Sequence, residues 1–168
     1  GRVVAASVLA REGGLSSDLC TRLATGAGRI RGHALPDTLI SHTGHTEAGL
    51  LTMIRSVRIA VHPALRRRGL AARLVAHIHT WHAEVDLFGT VFGATSALLA
   101  FRRALGYELV RLGASLGSRT GEPAAVMLRP VSDRAHRLLA QLRLDLARNL
   151  PLQLALLRAD GEACLCED

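Results

Sequence analysis

The chain has 168 residues, of which 49% are hydrophobic, and it carries a formal net charge of +7. This length suits one domain with an appendage, and the apolar content excludes a disordered chain. No apolar run reaches the roughly 20 residues that span a bilayer, so we expect no membrane partner. The positive charge comes from arginine without any lysine, and its excess favours polyanionic partners such as nucleotides or RNA.

The cysteines and the first residue indicate the setting of the chain. Cys20 stands alone, and Cys164 and Cys166 are too close in sequence for a usual zinc knuckle and lack a second ligand pair. An odd number without paired spacing argues against a disulfide framework, so we expect a reducing, cytoplasmic location. The chain starts at Gly1 and enters an apolar run at once, which we interpret as a piece cut from a longer protein or a chain whose tag was removed.

The first fifty residues predict one strand and two short helices. Residues 2–11 are rich in β-formers and lead into two glycines. Ser16 is typical of a helix cap, and its helix should end near Gly26. After a basic loop at residues 29–32, Pro36 is typical of the first turn of a second short helix.

The centre of the chain predicts a strand, a loop, a helix and another strand. Residues 53–61 alternate and are β-branched, and Pro63 ends that strand. The loop leads to a helix from about Gly69 to Ala83, with Trp81 on its apolar face. Residues 87–92 predict the next strand.

The remaining elements complete a mixed α/β order. Thr95 or Ser96 caps a helix that runs to about Leu105, and residues 107–112 and 124–128 predict a strand pair. Ser132 precedes a long helix that Pro151 should break or kink. The chain ends in a segment typical of a solvated acidic tail, with Asp160, Glu162, Glu167 and Asp168.

The junction at residues 61–71 is the strongest chemical signal. An apolar strand ends there, an arginine-rich loop follows, and a helix begins. Unpaired N–H groups at a helix start favour an anion, and Gly69 permits a positive φ and the close approach of a ligand. The missing lysine counts against a nucleoside-triphosphate P-loop. The other interpretation is a basic loop that caps an ordinary helix.

The loop Arg66-Arg67-Arg68-Gly69-Leu70-Ala71 resembles the Arg/Gln-x-x-Gly-x-Gly/Ala pattern of the GNAT acetyltransferases, which holds the pyrophosphate of acetyl-CoA. Residues 98–107 are similar to the second helix of that family. Residues 58–63, 92–95 and 109–113 further resemble the acetyltransferase domain of bacterial tRNA(Met) cytidine acetyltransferases. This resemblance extends from about Val3 to the helix after Ser132.

The resemblance implies an architecture. We expect a GNAT-type α/β fold in which a mixed, mostly antiparallel sheet is flanked by helices, with a C-terminal helical extension and without the N-terminal strand of the fold. Residues 1–131 would form the acetyltransferase core, and residues 132–168 a helical tail with an acidic end.

The resemblance also implies a function, the transfer of an acetyl group from acetyl-CoA to the exocyclic amine of the wobble cytidine of elongator tRNA(Met). Acetyl-CoA is then the co-substrate and tRNA the partner, and ATP is expected only with a separate N-terminal helicase-like module. In the family, the matching strand contacts acetyl-CoA through its backbone and the loop holds the pyrophosphate. The expected cofactor-binding residues are Ile59, Ala60, Val61, Arg66, Arg67, Arg68, Gly69, Leu70, Ala71 and Ala72.

Three positions depart from the family pattern: Ala97 replaces an acid, Arg102 a tryptophan and Ala104 an arginine. No catalytic acid or base is identified. An acetyltransferase of a small amine or a protein N-terminus is one alternative, and a catalytically silent RNA-binding module is another. We expect no metal site at His77, His79 and His82, because their helical positions diverge. The arginines expected to meet RNA are Arg29, Arg31, Arg55, Arg58, Arg134, Arg137 and Arg148.

Overall fold

The computed structural model describes residues 1–118 and 120–165, and the side chains of 161–165 are not considered. The strands are β1 (Ala5–Gly13), β2 (Thr52–Val61), β3 (Leu87–Gly93), β4 (Glu108–Leu116) and β5 (Pro123–Pro130). The helices are α1 (Ser17–Ala24), α2 (Ala34–Thr43), α3 (Leu70–Trp81), α4 (Ser96–Ala104) and α5 (Asp133–Leu165).

The strands form one sheet in the order β1-β2-β3-β5-β4. Only β2 and β3 pair in parallel, and the other three pairings are antiparallel. This arrangement confirms the predicted mixed, mostly antiparallel sheet flanked by helices. The edges of the sheet are β1 and β4.

Helices cover both faces of the sheet, and alternation along each strand divides the core between them. Met53 packs with α2 and α5 in one cluster, whereas its neighbour Ile54 packs with α3 in the other. We call these sides the α2/α5 face and the α3/α4 face. Partly buried Leu99 and Phe101 of α4 pack against the second cluster. The two faces therefore carry separate hydrophobic cores on a shared sheet.

Local capping sets several boundaries as the sequence predicts. The Ser16 hydroxyl accepts a hydrogen bond from the Leu19 N–H at 3.3 Å, and Thr95 Oγ1 accepts one from the Leu98 N–H at 3.2 Å. These bonds satisfy N–H groups that have no partner inside the helix. The predicted caps of α1 and α4 are thus confirmed.

Trp81 does not enter the core as predicted, because 72% of it is exposed. It is the last residue of α3 and stacks on His82, with the two ring centroids 6.0 Å apart. Val75 and Ile78 supply the buried contacts of this helix instead. The prediction that Trp81 belongs to the apolar face of this helix is therefore wrong.

Helix α5 runs on through Pro151, so the predicted break does not occur. Its first half is part of the core, where Leu138 and Leu142 are buried, so the beginning of the predicted tail packs with the predicted core. The boundary at residue 132 stays a prediction. Farther along, an Asp160 carboxylate oxygen accepts a hydrogen bond from the Leu116 N–H at 2.7 Å.

The end of the predicted acidic tail, with Glu167 and Asp168, lies outside the described residues. None of the helices in residues 1–118 and 120–165 combines the length with the apolarity that crossing a bilayer requires.

Candidate cofactor site

The two central strands separate halfway along their length. They pair from Met53 with Leu87 to Ser56 with Thr90 and no farther. Beyond this point β2 stays paired with β1, and β3 stays paired with β5 as far as Gly93. The sheet therefore opens into a V whose inner edges carry backbone N–H and C=O groups without a strand partner among the described residues.

A β-bulge lies at the point where the V opens. Val8 pairs with Arg58 and Leu9 pairs with Ser56, so Val57 is an extra residue in β2. A bulge bends the strand that carries it and increases its twist. This local bend turns the end of β2 away from β3 and gives the separation a physical cause.

The loop after β2 is shaped to receive an anion. Arg67 has φ 62° and Gly69 has φ 75°, both in the left-handed region. Successive turns of this kind direct backbone N–H groups into a shared concavity. Helix α3 begins at the next residue with neither a side-chain cap nor an acid in its first turn. The N–H groups of that turn remain available for a negatively charged ligand.

A groove of about 800 Å³ connects the V, the loop and α4. Nine of the ten predicted cofactor residues line it, and Arg68 does not. The groove is also lined by residues outside the predicted set, namely Leu65, Ala97, Leu98 and Phe101. The last three belong to α4. For Leu98 and Phe101, the resemblance of residues 98–107 to a second helix was the signal that could have identified them.

The groove suits a ligand with an apolar arm and a polyanionic end. Leu98 and Phe101 supply apolar surface on one wall, while Arg66 and Arg67 lie beside the open start of α3. Its volume is within the ~300–1,000 Å³ that is usual for small-ligand sites. Acetyl-CoA has these features in its pantetheine arm and its pyrophosphate. That these residues bind it stays a prediction.

No family model matches the chain. It is 38% identical over 157 residues to the tRNA(Met) cytidine acetyltransferase TmcA of Nitrosococcus halophilus, covering 92% of this chain and 21% of that protein. It is 42% identical over 144 residues to TmcA of Haloarcula marismortui, covering 85% of this chain and 18% of that protein. The chain spans about a fifth of the length of these relatives.

Solved acetyltransferases share the fold. The polyamine N-acetyltransferase of Drosophila melanogaster superposes with a TM-score of 0.54 at 16% identity, over 77% of this chain and 70% of that chain. Naa20 of Chaetomium thermophilum, solved with a bisubstrate analogue, superposes with a TM-score of 0.53 at 18% identity, over 82% of this chain and 64% of that chain. The chain has the GNAT fold, and its sequence is similar to one part of these tRNA(Met) cytidine acetyltransferases. The predicted fold is confirmed.

A buried polar cluster lies at the vertex of the V in this GNAT domain. Nη2 of Arg102, on α4, donates a hydrogen bond to Ser56 Oγ at 3.0 Å. Nη1 has no partner within the described part of the chain, although Arg102 is only 7% exposed. The guanidinium carbon is 5.6 Å from the centroid of the Phe101 ring and 5.3 Å from that of Tyr107. The departure at Arg102 thus places a positive charge beside the vertex of the V, against the Phe101 ring that lines the groove.

Among the described residues no carboxylate pairs with this charge, and only neutral groups stabilise it. Burial lowers the pKa of the Arg102 guanidinium, which the Tyr107 hydroxyl opposes, and burial raises the pKa of Tyr107. The Tyr107 oxygen is 2.9 Å from His79 Nε2. Burial, and then the charges of Arg129 and Arg102, lower the pKa of His79 to about 4. Tyr107 and His79 are therefore both neutral at pH 7.

On the opposite face, Glu12 holds two elements of the GNAT core together. Its side chain is fully buried, and Oε1 accepts a hydrogen bond from Arg55 Nε at 2.6 Å. Oε2 accepts one from the Leu35 N–H at 2.8 Å, in the first turn of α2. Arg55 is thus paired with a buried carboxylate, and its contact with RNA stays a prediction.

Proposed function

We propose that this chain is an acetyl-CoA-dependent N-acetyltransferase domain whose acceptor is the exocyclic amine of the wobble cytidine of elongator tRNA(Met). The observation that carries the proposal is the groove that runs from the unpaired end of β2, beyond the vertex of the V, to the positive-φ loop at the start of α3. The similarity to tRNA(Met) cytidine acetyltransferases supports the acceptor.

The proposed cofactor pose follows from the two ends of the groove. The pyrophosphate would accept hydrogen bonds from the N–H groups of the loop and of the first turn of α3, with Arg66 and Arg67 adding charge-assisted contacts. The pantetheine arm would run between the free edge of β2, at Ile59 to Val61, and Phe101 of α4. The acetyl group would then lie toward the vertex.

Catalysis in this proposal depends on positioning and on backbone dipoles. The exocyclic amine of cytidine is barely basic, so it need not lose a proton before it attacks the thioester. Backbone N–H groups on the free edge of β2 would polarise the thioester carbonyl. Holding the two reactants in contact would supply the rest of the rate enhancement.

Exposed arginines support an RNA acceptor. Arg29 and Arg31 lie in the loop before α2, and Arg58 lies beside the bulge in β2. All three are exposed, so RNA phosphates could reach them. Such contacts would hold the tRNA without reading its sequence.

The test is to incubate the chain with radiolabelled acetyl-CoA and an elongator tRNA(Met) transcript, with and without ATP, and to digest the RNA to nucleosides. A transcript with uridine at the wobble position is the matched control. We expect label in acetylcytidine from the first transcript alone, independent of ATP. Label in neither transcript would reject the proposed acceptor.

Two further measurements separate the alternatives. Label on a polyamine or a peptide N-terminus, with none on tRNA, would identify an acetyltransferase of a small amine or a protein. Thermal stabilisation by tRNA without stabilisation by acetyl-CoA would identify a silent RNA-binding module.

A further inference from the structure

Arg102 is a buried charge that lacks a carboxylate. The other buried arginine contact in the sheet, Arg55 with Glu12, is an ion pair at 2.6 Å. Arg102 has the Ser56 hydroxyl at 3.0 Å, and its Nη1 is left without a partner among the described residues. Removing a guanidinium from water costs several kcal/mol unless an anion offsets it. The fold therefore maintains positive charge here without its own counter-charge.

The position of Ser56 locates this charge in the site. Ser56 is the last residue of β2 that pairs with β3, so it marks the vertex of the V. Arg102 follows Phe101, which lines the groove, and its guanidinium lies 5.6 Å from the centroid of that ring. The charge thus lies on the α3/α4 face, between the vertex of the V and the Phe101 ring that lines the groove.

We propose that Arg102 offsets the negative charge that develops on the sulfur of coenzyme A as the acetyl group leaves, an inference that rests on the proposed function. In that step the acceptor nitrogen forms a bond to the carbonyl carbon and the carbon–sulfur bond breaks. The electron pair stays on sulfur, and the proton of the amine goes to water. Arg102 stays protonated throughout and contributes its charge and the free Nη1 donor.

Neither neutral neighbour can replace it. Tyr107 and His79 are hydrogen-bonded to each other, with 2.9 Å between Tyr107 Oη and His79 Nε2, and neither carries charge at pH 7. A thiolate that forms in a site of low dielectric constant gains more from a fixed positive charge than it would in water. The charge of Arg102 is therefore the feature of the cluster that a leaving thiolate would use.

The decisive measurement compares how strongly coenzyme A and desulfo-coenzyme A bind at different pH values, by calorimetry on the chain. If the bound thiolate is stabilised, the thiol has a lower pKa when bound than when free. The affinity for coenzyme A then rises with pH, by up to about tenfold per pH unit between the two pKa values. Desulfo-coenzyme A has no thiol and should lack this component.

Three substitutions on α4 isolate the charge. Arg102→Met should flatten the coenzyme A profile to that of desulfo-coenzyme A, while the affinity for desulfo-coenzyme A stays within about twofold of the parent's. Arg103→Met removes the same charge from the adjacent, exposed position and should retain the parent profile. Arg102→Lys keeps a charge and should retain most of the pH dependence.

The outcomes are distinct. If the affinities of the parent chain for coenzyme A and desulfo-coenzyme A depend on pH in the same way, the inference is overturned. This test needs no variant, so it still holds if a variant fails to fold. A normal coenzyme A profile in folded Arg102→Met would also overturn it and would leave Arg102 as a structural brace for Ser56. If neither ligand binds the parent, the proposed function itself fails.

Discussion

The two faces of the sheet differ in whether a buried charge and a helix start have partners within the protein. On the α2/α5 face, Glu12 pairs with Arg55 and also takes the Leu35 N–H at the start of α2. On the α3/α4 face, Arg102 has no carboxylate among the described residues, and α3 starts without a side-chain cap. A face that serves stability satisfies its polar groups internally. Under the proposed function, the α3/α4 face leaves a helix start and a charge unsatisfied because the ligand would supply their partners.

The largest expected effect tests the compensated charge. Glu12→Ala removes a buried carboxylate, leaving Arg55 and the first turn of α2 without their partner, so it should lower the free energy of unfolding by about 3 kcal/mol. Arg102→Met removes a charge that has no carboxylate, so the change should stay under about 1 kcal/mol. Urea unfolding of both variants measures this difference. Equal destabilisation would show that Arg102 is as firmly compensated as Arg55.

The second prediction tests the open helix start. Gly69→Glu puts a carboxylate beside the proposed pyrophosphate position and should weaken acetyl-CoA binding at least about tenfold through charge repulsion. Gly26→Glu is the control, because Gly26 has φ 72° and Gly69 has φ 75°, and a Cβ meets nothing within 4 Å at either position. Backbone strain is thus matched. Calorimetry that gives equal affinities for the two folded variants would remove the loop from the cofactor site.

A smaller effect concerns the solvent side of α5, on the α2/α5 face. Arg134, Arg137 and Arg148 are exposed, although Arg148 is 3.6 Å from an Asp145 oxygen. Changing all three to Gln should reduce the slope of log affinity for tRNA against log salt by about 2, since each neutralised phosphate contributes roughly 0.7 to 0.9. Acetyl-CoA affinity should not change. Filter binding at several salt concentrations that yields the parent slope would exclude this helix from the RNA surface.

The smallest effect is a pH dependence on the same face. Burial acts to lower the pKa of His45, but hydrogen bonds to Asp145, at 2.8 Å, and to Glu47, at 2.9 Å, outweigh it and raise the pKa. The contacts of His45 with Asp145 and Glu47 therefore contribute their full stability below the unfolded-state pKa of His45, about 6.5. This stability is lost as the pH rises through the higher pKa that His45 has in the folded protein.

The test for His45 is unfolding at pH 6 and pH 8 in the parent and in His45→Gln. We expect the parent to lose under about 1 kcal/mol more than the variant across this interval, because Asp145 and Glu47 are partly exposed. A parent that gains stability relative to His45→Gln toward pH 8 would contradict the sign.

Much of the fold follows from local sequence. The alternation of residues 53–61 predicted β2, and Ser16 and Thr95 fixed the starts of two helices through bonds that span only three residues. The loop at Gly69 was predicted as an anion site because its strand-to-helix junction is also local. Trp81 was placed in the core wrongly, since periodicity describes a helix face but not where the underlying core ends.

By itself, the sequence determined the order of elements, the arginine-rich loop and its family resemblance, because each depends on residues close together in the chain. Only the tertiary structure decided that β2 and β3 part after Ser56 and Thr90, since that depends on pairing between distant segments. It also decided the roles of Arg102 and Arg103. The two have the same side chain and adjacent positions, but successive helical residues point about 100° apart, so one is buried at the vertex of the V and the other faces solvent.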